Sequence, residues 1–160
     1  MERIQGLEPM IYPGAKILIL GSMPSVKSLK QQMYYANPTN RFWKVLSAIY
    51  DHSSETIEDK IALLQDAKIG LWDSCQSCVR TNSADATIKE VICNDIPSLC
   101  KDYPTIEKII CNGKTSYTTF TRYFPQYAGK VLSCPSTSAA NAKFRLSDLI
   151  EIYERTLKNE

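Results

Sequence analysis

Apolar and polar positions alternate along the chain in two periods. Lys16–Leu20, KILIL, is an apolar run that stops at Gly21, as a buried parallel strand does where it enters a loop. The same pattern predicts strands over 68–73 (KIGLWD), 106–111 (IEKIIC) and 129–134 (GKVLSC). Between them the period lengthens to that of a helix. Phe42, Val45, Leu46 and Ile49 share one face of a helix over 40–50, with Arg41 and Lys44 off it. Thr56 caps the next helix with Asp59 three residues on, and Ile57, Ile61, Leu63 and Leu64 form its stripe. Asn94–Asp95 before Pro97 starts a short helix to about Lys101. Helices over 114–124 and 146–157 bury Tyr117, Phe120 and Phe124, and Leu149, Ile150, Tyr153 and Leu157. Residues 1–15 read as an irregular lead-in.

Strands that alternate with helices imply a parallel sheet with helices on both faces, in one domain over 1–160. Ligands of such sheets sit beyond the carboxyl ends of the strands. Three of the expected strands end in polar loops, 21–40, 73–87 and 134–141, which would meet at one cleft. The first is the richest. It carries the hydroxyls of Ser22, Ser25 and Ser28, the rings of Tyr34 and Tyr35, and the amides of Asn37 and Asn40, stiffened by Pro24 and Pro38.

Composition narrows the picture little. The chain is 44% hydrophobic and 22% charged, with a net charge of +2, so a nucleic-acid reading must rest on local features. No apolar run is long enough for a membrane span. The segment 1–14 has no apolar export core, so the six cysteines are expected to be reduced thiols in the cytoplasm.

The loops hold amides, hydroxyls and aromatics but no histidine, and His52 is the chain's only one. That argues against a Ser–His nucleophile and a histidine metal site. Neither GxxxxGK[ST] nor GxGxxG occurs. Amides, tyrosines and hydroxyl-rich turns instead suit orienting a water, stacking a planar ring and holding phosphates.

Three motifs in this order, GSMPS…YYANPTNRFW, LWDSCQSC and PSTSAAN, resemble the uracil-DNA glycosylase superfamily, and most closely its hypoxanthine-DNA glycosylase branch. The resemblance spans Leu18 to Asn141. It implies an α/β/α sandwich around a mostly parallel four-stranded sheet. It also implies hydrolysis of a base–sugar bond in DNA carrying a deaminated base, by a monomer with no cofactor or metal. Flipping the base out of the stack costs a few kcal/mol, about what stacking on an aromatic returns. Tyr35 is the expected stacking face. The sugar becomes oxocarbenium-like, so the attacking water needs position more than activation. Asn40 is the expected water-holding amide, as the branch implies, with Asn37 as the second choice. Gly21, Ser22 and Met23, with Trp72, Asp73 and Ser74, are expected around the base. Asp73 would accept from N1–H of hypoxanthine, and a backbone amide in 72–74 would donate to O6. Backbone N–H groups near Gly21–Ser22 would stabilise the departing base. Ser25, Ser136, Thr137, Ser138 and Asn141 are expected at phosphates.

The chain departs from its relatives in places. Met23 stands where related enzymes carry a water-holding Asn or Asp. Cys134 begins a motif that elsewhere starts with His or Asn. Ala139 replaces a usual Pro, and Ser138 or Ala139 makes a small wedge.

Plainer readings stand beside these. Asn40 could cap the following helix. Either tyrosine could be packing. Asp73 could bond loop amides, Arg80 and Asp85 could brace the second loop, and PSTS could be an ordinary turn. Cys75 and Cys78 form a CxxC that would serve redox or metal chemistry elsewhere. A uracil- or mismatch-directed glycosylase and an inactive nucleic-acid-binding module remain as alternatives.

Overall fold

The computed structural model describes residues 2–159; Met1 and Glu160, the ends of the expected 1–160 domain, lie outside the described residues. A short strand β1 (Ile4–Gln5) leads in, followed by β2 (Ile17–Gly21). Helices α1 (Val26–Gln31), α2 (Phe42–Tyr50) and α3 (Ile57–Ala67) follow, then β3 (Ile69–Asp73), β4 (Cys75–Val79) and β5 (Lys89–Cys93). The chain continues through α4 (Ile96–Asp102), β6 (Lys108–Asn112), α5 (Lys114–Tyr123), β7 (Leu132–Cys134) and α6 (Leu146–Lys158).

The central sheet has the order β3-β2-β6-β7, and every pair in it is parallel. Alternation along β2 supplies both faces. Ile19 joins a core with Phe42, Val45 and Leu46 of α2, Leu63 and Leu64 of α3, and Leu149 and Tyr153 of α6. Leu18 and Leu20 join the other, with Ile96 and Leu99 of α4 and Phe120 of α5. All three β2 residues are fully buried, worth roughly 1.5–3 kcal/mol each in apolar transfer. The result is the expected three-layer α/β/α sandwich with a four-stranded sheet.

Thr56 and Asp59 make a reciprocal capping box at the start of α3. The residue after α3, Lys68, is left-handed and turns the chain straight into β3.

The second polar loop differs from its expected form. Only Ser74 separates β3 from β4, which pairs antiparallel with β1 and β5 in a separate three-stranded sheet. Its small core holds Met23, Cys75 and Cys78. The stretch 74–87 is thus half strand, and the irregular excursion is confined to 80–88. Helix α1 interrupts the first loop, with Ser25 as its cap. Helix α5 stops at Tyr123, before Phe124, and β7 begins later than expected, at Leu132.

Candidate active site

The ends of β2, β3 and β6 and the loop after β7 open onto one cleft of about 470 Å³. Of the expected residues, Gly21, Ser22, Met23, Ser25, Tyr35, Asn37, Asn40, Asp73, Ser136, Thr137, Ser138 and Asn141 line it.

Asn40 is held by more bonds than a cap requires. Its Oδ1 accepts from the Phe42 N–H at 2.9 Å and from the Thr137 hydroxyl at 2.8 Å. Thr137 is in turn fixed by Asn112: the Thr137 N–H donates to Asn112 Oδ1, and Asn112 Nδ2 donates to Thr137 Oγ1, both at 3.0 Å. The single Thr137 hydroxyl proton must therefore go to Asn40. That orients the Asn40 amide with both Oδ1 bonds taken and the Nδ2 hydrogens left for the cleft. Arg41, not Asn40, occupies the N-cap position of α2, but the Asn40 oxygen still receives the first N–H of that helix. Asn37 Oδ1 is occupied by the N–H and hydroxyl of Thr39, which makes it a turn former.

Tyr35 sits at a left-handed φ of 54°, an unusual conformation for a bulky residue. Its ring stacks on Phe42 with centroids 4.0 Å apart and planes at 23°, which closes that face to a base. Its hydroxyl is buried with no hydrogen-bond partner. Tyr34 packs instead, fully engaged through Glu8 O and the Trp43 indole.

Asp73 ends β3 at the floor of the cleft, 4% exposed. A Cβ on Gly21 would lie 2.4 Å from Asp73 Oδ1 and 3.1 Å from the Tyr35 hydroxyl, so only glycine fits against the pair. Asp73 Oδ2 is buried without a donor. Burial lifts this carboxyl to about 7, Asp85 adds to the rise, and Arg80 opposes it. A buried acceptor left open in this way is costly unless a ligand supplies a donor.

Arg41 ties two loops together. Its backbone N–H and Nε donate to Thr137 O, and Nη2 donates to Ser138 O and Asn141 O. Nη1 donates to Phe144 O. This guanidinium holds the PSTSAAN turn against the start of α2.

Some expected placements change. Trp72 points its indole N–H to Leu7 O and does not line the cleft. Ser74 gives its N–H to Gly21 O and its hydroxyl to Ser116, so neither reaches a base. The reason is the Ser74 bend, which carries the chain at once into β4. Thr137 is 1% exposed and fully bonded, so it braces Asn40 and is withdrawn from any phosphate. The Ser25 hydroxyl is spent on Ser28 as a helix cap. The Met23 side chain packs with Cys75 and Cys78. Ser136, Ser138 and Asn141 keep partly exposed positions on the rim.

Asn112 and Asp85 line the cleft although neither was among the expected site residues. Asn112 was legible only as a polar stop to an apolar strand. Asp85 reaches the cleft from the excursion 80–88, where Ser22 Oγ donates to its Oδ1 at 2.6 Å. Cys75 and Cys78 are fully buried free thiols, and burial raises both above the usual thiol range. Such thiols are poor nucleophiles.

The profile of the Uracil DNA glycosylase superfamily matches residues 9–157, nearly the whole described chain. The chain belongs to the uracil DNA glycosylase superfamily. Two curated relatives carry the name hypoxanthine DNA glycosylase. The one from Methanosarcina barkeri is 31% identical over 155 residues, covering 94% of this chain and 98% of that protein. The one from Methanosarcina acetivorans is 34% identical over 144 residues, covering 88% and 89%. A solution NMR structure from Methanosarcina acetivorans, described as a candidate uracil DNA glycosylase, superposes with a TM-score of 0.78. It is 30% identical, and the match covers 99% of this chain and 100% of that one. Superfamily membership therefore rests on sequence and on fold together.

Proposed function

We propose that this chain is a DNA glycosylase that releases hypoxanthine from deoxyinosine by attack of a positioned water. The carrying observation is that Asn40, oriented through Thr137, and the donor-seeking Asp73 line the same cleft. The flipped base enters between Tyr35 and the β-strand ends. Its N1–H donates to Asp73, supplying the hydrogen bond that the buried oxygen lacks. Adenine has no proton at N1, so an ionised Asp73 repels it. The Asn40 amide donates an N–H to a water and leaves a lone pair of that water to attack C1′. Ser136, Ser138 and Asn141 contact the adjoining phosphates through hydroxyl and amide groups, and such contacts fix register without reading sequence.

Bond breaking takes the electron pair of the glycosidic bond onto the base, and the base ends with a proton while C1′ gains the water oxygen. The hydrolysis asks only for placement and for electrostatic support of the sugar.

Uracil also shows an imide N–H beside a carbonyl, so Asp73 supports a second reading with uracil as substrate. The working unit is one domain, acting on DNA as a monomer in the cytoplasm. Oligonucleotides with a single inosine, a single uracil or an undamaged adenine, treated with the protein and then alkali, test the proposal. Breakage at inosine well ahead of uracil and none at adenine is expected. Breakage at uracil alone would transfer the assignment, and no breakage at any base would make the chain a binding module.

A further inference from the structure

The first loop offers no carboxylate or amide at Met23, whose side chain is buried beside Cys75 and Cys78. A carboxylate nonetheless reaches this part of the cleft from another segment. Asp85 lies in the excursion 80–88, and its Oδ1 accepts from Ser22 Oγ at 2.6 Å, one residue before Met23. The excursion is pinned over the first loop by the Val26 N–H donating to Ser83 Oγ at 3.0 Å. Beneath it, Arg80 is 5% exposed and donates from Nη2 to Pro24 O.

The two carboxylates of the cleft lie at different depths. Asp73 is 4% exposed, at the floor beside Gly21, with one oxygen unpartnered. Asp85 is an exposed residue of the rim whose carboxylate turns in to Ser22. A nucleotide enters such a cleft base first. A base whose edge meets Asp73 leaves its deoxyribose toward the rim of the cleft that Asp85 and Asn40 both line.

We infer that Asp85 is a catalytic residue of this glycosylase, its carboxylate facing the deoxyribose and stabilising the positive charge that develops there as the base departs. The inference rests on reading the cleft as a glycosylase site. No bond forms to Asp85. The glycosidic electron pair leaves on the base, the water oxygen bonds C1′, and one water proton is finally carried by the base. Asp85 acts through charge alone. A negative group already fixed in place opposite a nascent cation need not reorganise as the charge develops. The Ser22 hydroxyl supplies that fixation. The same charge opposes the DNA phosphates, so it serves the transition state at some expense to binding.

The test compares Asp85→Asn and Asp85→Ala with the wild-type protein in single-turnover release of hypoxanthine and in affinity for DNA bearing a stable abasic-site analogue. Asn can still accept from Ser22 and keeps the brace without the charge. The expected result is that both variants slow by about tenfold or more with affinity unchanged or tighter. Asp85→Asn at the wild-type rate, with only Asp85→Ala impaired, would reduce Asp85 to a brace and overturn the inference. So would a loss of affinity that accounts for the loss of rate. If Asp85→Asn melts much lower than wild type, the comparison is repeated at a temperature where both are folded, with the same two outcomes. A wild-type protein that releases no base would instead remove the glycosylase reading itself.

Discussion

The Thr137 hydroxyl donates to Asn40 Oδ1 at 2.8 Å, across 97 residues of sequence. Because Asn112 fixes both polar groups of Thr137, the direction of this bond is determined, and with it the face of the Asn40 amide turned to the cleft. Thr137→Val keeps the shape and removes the link. It should cost about 1–3 kcal/mol of stability through unpaired Asn112 and Asn40 groups. It should also lower the turnover of inosine-containing DNA more than its affinity. Thermal melting and single-turnover kinetics read the two effects separately.

Asp73 carries a pH signature. Its carboxyl stands at about 7, raised first by burial and then by Asp85. Between the ordinary carboxylate range and about 7, the unfolded chain releases this proton and the folded chain keeps it. Stability due to this group therefore falls as pH rises through that window and levels off above it. If ionised Asp73 receives N1–H, kcat/KM for inosine DNA should rise through about pH 7. Asp73→Asn should remove that limb and weaken discrimination between hypoxanthine and adenine by about 10- to 100-fold. Asp85→Asn should move the limb to lower pH, since it removes a neighbouring negative charge.

Arg41 donates to the carbonyls of Thr137, Ser138, Asn141 and Phe144 and so joins four points of one turn. Arg41→Ala should loosen the PSTSAAN turn, lower the melting temperature and raise KM. Arg41→Lys should recover only part of the loss, because an ammonium cannot reproduce a planar fork. Proteolysis within 136–144, slow in the wild type, should report the same loosening.

The thiols give an independent check. Cys75, Cys78, Cys111 and Cys134 are buried, while Cys93 and Cys100 are half-buried. A thiol reagent added to the native protein should label Cys93 or Cys100 first and leave base release intact. Rapid labelling of Cys75 or Cys78 with loss of activity would contradict the packing described for β4.

The sheet was legible because KILIL, KIGLWD and IEKIIC carry both faces of a buried strand within themselves. The Thr56–Asp59 box was equally local. β4 and β5 were not, because CQSCV and KEVIC read as polar, and their pairing depends on a partner strand that the sequence does not announce. The convergence of Tyr35, Asn40, Asp73 and Ser136 followed from the rule that strand ends gather loops. The direction of each side chain did not. Trp72 and Ser74 lie beside Asp73 in sequence, yet strand alternation and the bend into β4 send them elsewhere. Thr137 looked like a phosphate contact because its hydroxyl is visible in sequence, whereas its burial under Arg41 and Asn112 is visible only in three dimensions. Asp85 was read as a brace, and the Ser22 bond supports that much; its position on the cleft wall appears only once the excursion 80–88 is folded over the first loop.

Asn40→Ala measured in single-turnover release of hypoxanthine, with affinity for abasic-analogue DNA followed in parallel, bears most directly on the account. Loss of rate by about 100-fold or more at nearly unchanged affinity is the predicted result. A variant that releases the base as fast as the wild type would show that the water is held by another group, and the mechanism built on the Thr137–Asn40 link would be wrong.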